Sequence, residues 1–575
     1  MTKFSLVFLS LLFCATFSFA QARDPIDSEN KILFNARIFT ANREHPFAEA
    51  IGISGKRIVA VGTLDEVKQK MSSAAVHIDL HGASLLPGFV DSHIHALEGG
   101  ERLLRANADD SSMTTAALEA FVKTSIDNGK AMRGRFVVVS GLNITTWSRI
   151  PELQATFNGN AYAQQPILLH GSDGHTGWAN NAMLKEAGIT QAFIHSLSAE
   201  QKKFFGFTAQ DEPNGFIADD GFDKFAGVIP EAPIDPMKIG LSAMGYTNRL
   251  GITAWLDPSS GSISDQKNEI LDTYSLLASK HKLSAHVAAT VVANANGDVQ
   301  SQITTLKKWM AEYKAVRVLG FKIFADGVIE YPTQTAALSI PYTNSGSTGV
   351  LMVDPKKFDQ FVIQADKSGL LVHVHAIGDE AITVALNGFE AARKSNGNSG
   401  IPHTITHLQV IKPGDFNRFA KLGVLASVQL LWALGDPTTI DIVKPYISPE
   451  LYKYQYPARS LLHAGTVLCG ASDWPVSSAN PFIAIYEAET RMGRMGVLDS
   501  TQAVPRIEML YAYTINAARA MRMENKIGSL APGKSADLIL VDRDVMNISA
   551  EACKNTKVIW TLFEGKPVYR AAETK

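Results

Sequence analysis

Two histidines one residue apart, His93 and His95, close the stretch Leu85-Leu-Pro-Gly-Phe-Val-Asp-Ser-His-Ile-His95. In extended backbone the side chains at i and i+2 share a face, so both imidazoles can reach one metal ion. Alone this spacing is weak, because two histidines meet it by chance. Its weight comes from groups of matching chemistry further along. Lys322 stands in Gly320-Phe-Lys-Ile-Phe-Ala-Asp-Gly327, and His375 closes Leu371-Val-His-Val-His375. His407 closes Thr404-Ile-Thr-His407, and Asp473 follows Gly470-Ala-Ser. Each belongs to an apolar, β-rich run. A lysine there has no comfortable packing role, since an unpaired buried ammonium is costly. His373 shares a face with His375 but lies one layer deeper, where a hydrogen-bonded core histidine is the expectation. A carboxylate in the place of Asp473 either caps the next helix or does chemistry.

The elements that must position these groups are eight runs, at 85–95, 252–257, 284–290, 318–324, 370–376, 404–410, 424–429 and 467–473. Apolar runs alternating with longer amphipathic segments predict βα units whose strands are covered on both faces. Eight of them predict an α/β protein built on a (β/α)8 TIM barrel, with its site at the C-terminal strand ends. Short β pieces at 32–39, 50–53, 57–62 and 76–80 resemble pieces at 537–541 and 558–563 in texture. Neither group can bury a sheet by itself. Residues 21–84 and 521–575 are therefore expected to form one small β-sandwich domain, with the barrel at 85–520.

An insertion at about 97–244 follows the first barrel strand and is expected to fold over the barrel mouth. It contains strand-like pieces at 136–140 and 167–170 and the loop Gly171-Ser-Asp-Gly-His-Thr-Gly-Trp178. Asp173 and His175 in that loop are candidate substrate contacts, against the plainer role of an ordinary turn. Trp432 and Arg491 are further candidates, against core packing and a helix ion pair respectively. Asp257, Asp326 and Asp379 follow strands and read as loop-ordering groups.

The 575 residues are 46% hydrophobic and 19% charged with a net charge of −2. That composition is globular and gives no basic surface for nucleic acid or an anionic membrane. Lys3, an apolar run at 4–13 and Ser18-Phe19-Ala20 have the form of a secretory signal peptide over residues 1–20. Cleavage is expected before Gln21, or alternatively after Ala22. The run is too short for a membrane span, so a periplasmic or secreted protein without a span is expected. Cys14 would leave with the signal. Cys469 and Cys553 do not make a disulfide framework, and Cys469 reads as a buried free thiol.

The order His-x-His, strand-four Lys, strand-five His, strand-six His and strand-eight Asp resembles the metal-dependent amidohydrolase superfamily. The words Pro87-Gly-Phe-Val-Asp-Ser-His-Ile-His95, Lys322-Ile-Phe-Ala-Asp-Gly327, His375-Ala-Ile-Gly-Asp379 and Ser472-Asp-Trp-Pro475 resemble its family 3 branch. Members of that branch include N-substituted formamide deformylases. The resemblance implies a binuclear centre of two divalent ions, zinc first, with manganese, iron or cobalt as alternatives. His93, His95 and Asp473 would hold the buried ion, His375 and His407 the exposed one, and N-carboxylated Lys322 would bridge them. Such ions make hydroxide available near neutral pH, with Asp473 as general base and then acid.

The implied activity is hydrolysis of an amide-type bond (N-acyl, N-formyl or cyclic), in the class acting on carbon–nitrogen bonds other than peptide bonds. Rivals are an esterase, lactonase or carbamate hydrolase on the same site, and a deaminase. The deaminases commonly carry His-Ala-x-Glu, whereas Gly378 stands in the glutamate's place here. A non-catalytic periplasmic binding or regulatory protein is the remaining alternative. The expected partner is a small-molecule substrate, with a homodimer common in the superfamily.

Overall fold

The computed structural model describes residues 24–572 except 110, 112, 160, 173–175, 203, 231, 232 and 332. The expected signal segment, with Cys14, lies outside the described residues. Eight parallel strands form the barrel in chain order: β1 Phe89–Asp91, β2 Ile252–Asp257, β3 His286–Val292, β4 Arg317–Phe324, β5 Leu371–Ala376, β6 Thr404–His407, β7 Leu425–Val428 and β8 Leu468–Gly470. Each overlaps one of the eight apolar runs. The ring closes between β8 and β1, where the Ser92 backbone N–H and hydroxyl both donate to the Gly470 carbonyl at 2.9 Å. Gly320 lets β4 approach β5, since a Cβ there would fall on the Leu371 backbone. The barrel strands are enclosed almost throughout, as continuous apolar runs require.

The first run is shorter than expected and is split by its Pro-Gly pair. Ser84–Pro87 pairs with Leu538–Val541 and with the strand Asn30–Phe39 of the small domain. Only Phe89–Asp91 enters the barrel. The crossing between domains is therefore one residue, Gly88.

The small domain joins the two chain ends in one eight-stranded sheet. The sheet forks at Asn30–Phe39, which pairs with Val76–Asp79 and Ser84–Pro87 along one edge and Phe47–Ser54 along the other. It then curls back on itself. The Ile58 and Ala536 N–H groups bond Lys534 and Lys56 carbonyls, which ties strand Arg57–Gly62 to the approach of Leu538–Val541. Ile38, Ile51, Ile53, Leu85, Leu538 and Leu562 fill the space between the two layers.

The insertion is bracketed by the helices Ala96–Leu104 and Pro236–Arg249, which pack on each other. Between them lies a six-stranded sheet with a core on each face. Alternate residues feed opposite cores, Val137 and Leu169 on one face, Phe136 and Leu168 on the other. This segment buries its own apolar surface. Its described residues do not line the cavity that holds His375 and His407, but its two ends, with Leu97, Glu98, Glu101, Pro233, Ile234 and Ile239, wall a second cavity that reaches His95 and Asp257 at the ends of β1 and β2. Among the described residues no helix is long and apolar enough to cross a membrane.

Candidate metal centre and its cavity

β1 ends at Asp91, and His93 and His95 follow it in the bend between the strand and the helix Ala96–Leu104 rather than within the strand. The i, i+2 relation survives, because both rings still face the end of β8. Nε2 of His93 and Nε2 of His95 each lie 3.2 Å from Asp473 Oδ1. Neither contact is a directed hydrogen bond, and that oxygen has no hydrogen-bond partner although it is buried. Two imidazole nitrogens and a carboxylate oxygen thus converge within 4.8 Å of one another, as a trio of ligands around one point. A divalent ion fits this donor set, and it accounts for the orphaned oxygen.

The supports behind the trio are equally specific. His93 Nδ1 pairs with His373 Nε2 at 2.9 Å, which fixes the ring and leaves Nε2 toward Asp473. His373 is thus the buried, hydrogen-bonded histidine that its depth predicted. Asp91 is fully buried, and its Oδ1 accepts from the backbone N–H of His93 (3.0 Å) and of Ser472 (3.2 Å). That one carboxylate aligns the chain beyond β1 with the chain beyond β8. Asp91 is not among the residues expected from the sequence, though its place two residues before His93 is a usable signal. Burial raises its pKa to about 7. Tyr513 donates to the Ala471 carbonyl at 3.1 Å and braces β8 from behind.

His375 and His407 stand across the barrel with ring centroids 4.4 Å apart. His375 Nε2 donates to the Gly327 carbonyl at 3.0 Å, so Nδ1 keeps its lone pair free. His407 Nδ1 is buried without a partner, and its ring stacks on Trp432 at 5.8 Å and 14°. His407 and Asp473 both hold positive φ, 76° and 55°. Strained backbone of this kind persists where surroundings over-determine it, and it clusters at functional sites.

Lys322 is buried at the level of its register partner His373, one layer below His375. Its four-carbon stem rises past that layer, and Nζ lies 4.9 Å from the Phe324 ring centroid. Burial brings its pKa down to about 7, with Asp473 opposing. Burial, with Lys322 next, also holds the His375 pKa near 4 and that of His93 well below the usual imidazole value. Burial and then His375 do the same for His407. Neutral imidazole is the ligating form. At His95 burial is outweighed by Asp473, and its pKa is raised. Burial pushes Asp473 up, but His95 and His407 hold it below the ordinary carboxylate value.

These side chains open into a cavity of about 820 Å³, within the usual range for small-molecule sites. Trp432 lines it. Arg491 does not: it is buried behind the wall, where Nη1 and Nη2 donate to the carbonyls of Tyr456 and Gln455 at 3.1 Å each. Among the described residues it makes no helix ion pair. Asp173 and His175 lie outside the described residues. Asp326 accepts three backbone N–H bonds, from Ala337, Ile377 and Gly378, and so pins the loops after β4 and β5 together. Cys469 and Cys553 are both buried and free.

The model of the amidohydrolase family matches residues 77–569. The Arabidopsis thaliana protein LONG AFTER FAR-RED 3 is 27% identical over 550 residues, covering 94% of this chain and 91% of its own. The N-substituted formamide deformylase of Arthrobacter pascens is 23% identical over 560 residues, covering 93% and 97%. An uncharacterized metal-dependent hydrolase from Pyrococcus horikoshii has the same fold, with a TM-score of 0.68 and 24% identity over 91% of this chain and 99% of that one.

Proposed function

The chain belongs to the amidohydrolase family, metal-dependent hydrolases of carbon–nitrogen bonds, and within that frame we propose that it hydrolyses an amide-type bond, N-acyl, N-formyl or cyclic, with Asp473 as the proton carrier. The observation that carries this reading is the convergence of His93 Nε2, His95 Nε2 and the unpartnered Asp473 Oδ1. His93, His95 and Asp473 would hold one divalent ion, zinc being the best match to two imidazoles and a carboxylate. His375, His407 and an N-carboxylated Lys322 would hold a second. The ions supply Lewis acidity toward the carbonyl and lower the pKa of water to near neutrality.

The chain's own residues do the rest. Asp473 stays ionised below its ordinary range, so it is ready as a base at neutral pH. It takes the proton of the attacking water and returns it to the departing nitrogen. His95 beside it holds the carboxylate in place. Lys322, brought to a pKa of about 7, is largely unprotonated in mildly alkaline conditions, and only the free amine can combine with carbon dioxide. The apolar wall, including Trp432, displaces water from the acyl side and strengthens the electrostatics within.

The geometry opposes a deaminase of the His-Ala-x-Glu kind. A Cβ at Gly378 would fall on the Ala337 carbonyl, so that position has no room for a glutamate side chain. Export of the protein through its N-terminal segment is part of the proposal, supported by the sequence of residues 1–20.

The test is a panel of N-acyl amino acids, formamides, cyclic amides, carbamates and lactones offered to metal-loaded protein, with D473N alongside. Amide turnover that D473N lowers by roughly 10²–10⁴, with both proteins assayed in excess metal, is the expected outcome. Turnover of lactones or carbamates alone, or an unimpaired D473N, overturns the proposal.

A further inference from the structure

The cavity has a second, differently charged half. Glu330 comes from the loop after β4, Asp436 from the connection after β7, and Glu487 from the helix Pro481–Thr490 after β8. Three separate βα connections bring a carboxylate to the same space. With Asp473, four carboxylates line the cavity among the described residues, and its one lysine, Lys322, belongs to the metal-centre half. The neighbouring cations are committed elsewhere. Arg491 is turned to the Gln455 and Tyr456 carbonyls, and Lys554 pairs with Glu551 at 2.7 Å and lies over the Tyr486 ring.

Two polar groups in this half lack a hydrogen-bond partner among the described residues. Tyr456 is 5% exposed, lines the cavity, and its hydroxyl bonds to none of them. Oε2 of Glu487 is enclosed and equally unpartnered. Glu330 Oε1 takes a long 3.5 Å contact from Gln409 Nε2, and the backbone N–H groups of Ile329 and Glu330 also face its carboxylate. Buried acceptors left open, beside like charges, are expensive without an occupant that supplies donors and positive charge.

Resting on the amide-hydrolase reading of the same cavity, we propose that Glu330, Asp436, Glu487 and Tyr456 form a cation subsite. The substrate it selects is an amide whose body ends in a guanidinium or primary ammonium group. A guanidinium presents several N–H donors in one plane and can serve two carboxylates and a phenol oxygen at once. Trp432 and Tyr456 line the same space, and aromatic rings attract a cation and its alkyl stem. The charge state agrees with mutual proximity. Burial first, and then Asp436, raises the pKa of Glu330, and Glu487 is pushed up to about 7 by burial, against Lys554 and with Asp436.

The test separates this subsite from the hydrolase reading. N-hexylguanidine and its neutral isostere N-hexylurea are titrated calorimetrically into the metal-loaded protein, which needs no turnover. The guanidinium is expected to bind at least 10-fold more tightly. E330Q and E487Q, which keep side-chain volume, are expected to bring that ratio below 3-fold while metal content is unchanged. Equal binding of the two probes, or a ratio untouched by both variants, overturns the subsite. Loss of bound metal in E330Q or E487Q overturns it too, because the wall would then be a metal site. In parallel, N-formyl-4-guanidinobutylamine is compared with its urea isostere as a substrate. If neither is cleaved while the guanidinium still binds selectively, the fault lies with amide hydrolysis and the subsite stands.

Discussion

Replacing Arg491 by Met asks whether that arginine holds the cavity wall or meets substrate. The guanidinium is 1% exposed and donates to two buried carbonyls, those of Gln455 and Tyr456. Hydrogen bonds from a charged donor contribute roughly 1.5–3 kcal/mol each, so about 3–6 kcal/mol is at stake. Against this stands the cost of burying the charge. Burial lowers the Arg491 pKa to about 10, which corresponds to roughly 3 kcal/mol returned when the charge is removed. The balance is a loss on the order of 2 kcal/mol, confined to the segment the carbonyls belong to, or about 30-fold in its opening equilibrium. Hydrogen exchange measured by mass spectrometry on peptides spanning 452–458 reads that opening directly. The expected result is exchange accelerated by tens of fold there, with β1 and β8 unaffected. Unchanged exchange together with a collapse of kcat/KM on an amide substrate would refute the reasoning and make Arg491 a substrate contact.

Three further outcomes follow from the geometry. Lys322 has a folded-state pKa near 7 against an ordinary 10.5, so its contribution is present above pH 10.5 and is lost as pH falls toward 7. Metal-free wild type should therefore gain apparent Tm between pH 7 and 10 by more than metal-free K322M does; parallel pH curves for the two would contradict this. At Gly99 a Cβ would fall on the Trp474 ring, which is already stacked on Tyr246 at 4.6 Å and 15°. G99A should cost about 1–3 kcal/mol and weaken metal retention through the adjoining Asp473, measured by thermal melting and metal analysis after dialysis. Cys469 is buried and its thiol is pushed up to about 12 by burial, so iodoacetamide at pH 8 should leave it unlabelled until the protein is denatured. Labelling in the native state would show the strand β8 to be open.

The residues proposed to carry the chemistry were legible because each closes a local pattern. His93 and His95, Lys322, His375, His407 and Asp473 stand at the ends of apolar runs, and strand direction alone sends the end of every run to the same mouth. The eight barrel strands were legible for the same reason, since continuous burial on two faces leaves continuous apolar sequence. The depth of His373 followed from counting two residues back from His375.

What the chain order could not convey is which distant segments share a space. The supports of the centre, Asp91 to Ser472 and His93 to His373, join residues hundreds of positions apart. An aspartate in Val-Asp-Ser looks the same whether it faces water or aligns two strand ends. Arg491 read as a substrate contact or a helix ion pair, and a lone charge in the sequence gives no sign of facing two carbonyls behind a wall. The length of the insertion does not say where its apolar surface is buried; the fold puts that surface into two cores of its own and brings only the insertion's ends beside His95. Glu330, Asp436 and Glu487 were three unrelated acids in sequence, and only the meeting of three connections made them one wall. Periodicity is a local property of the chain, and it settles strand, face and end. Juxtaposition is set by closing the barrel, and it settles which charges must live together.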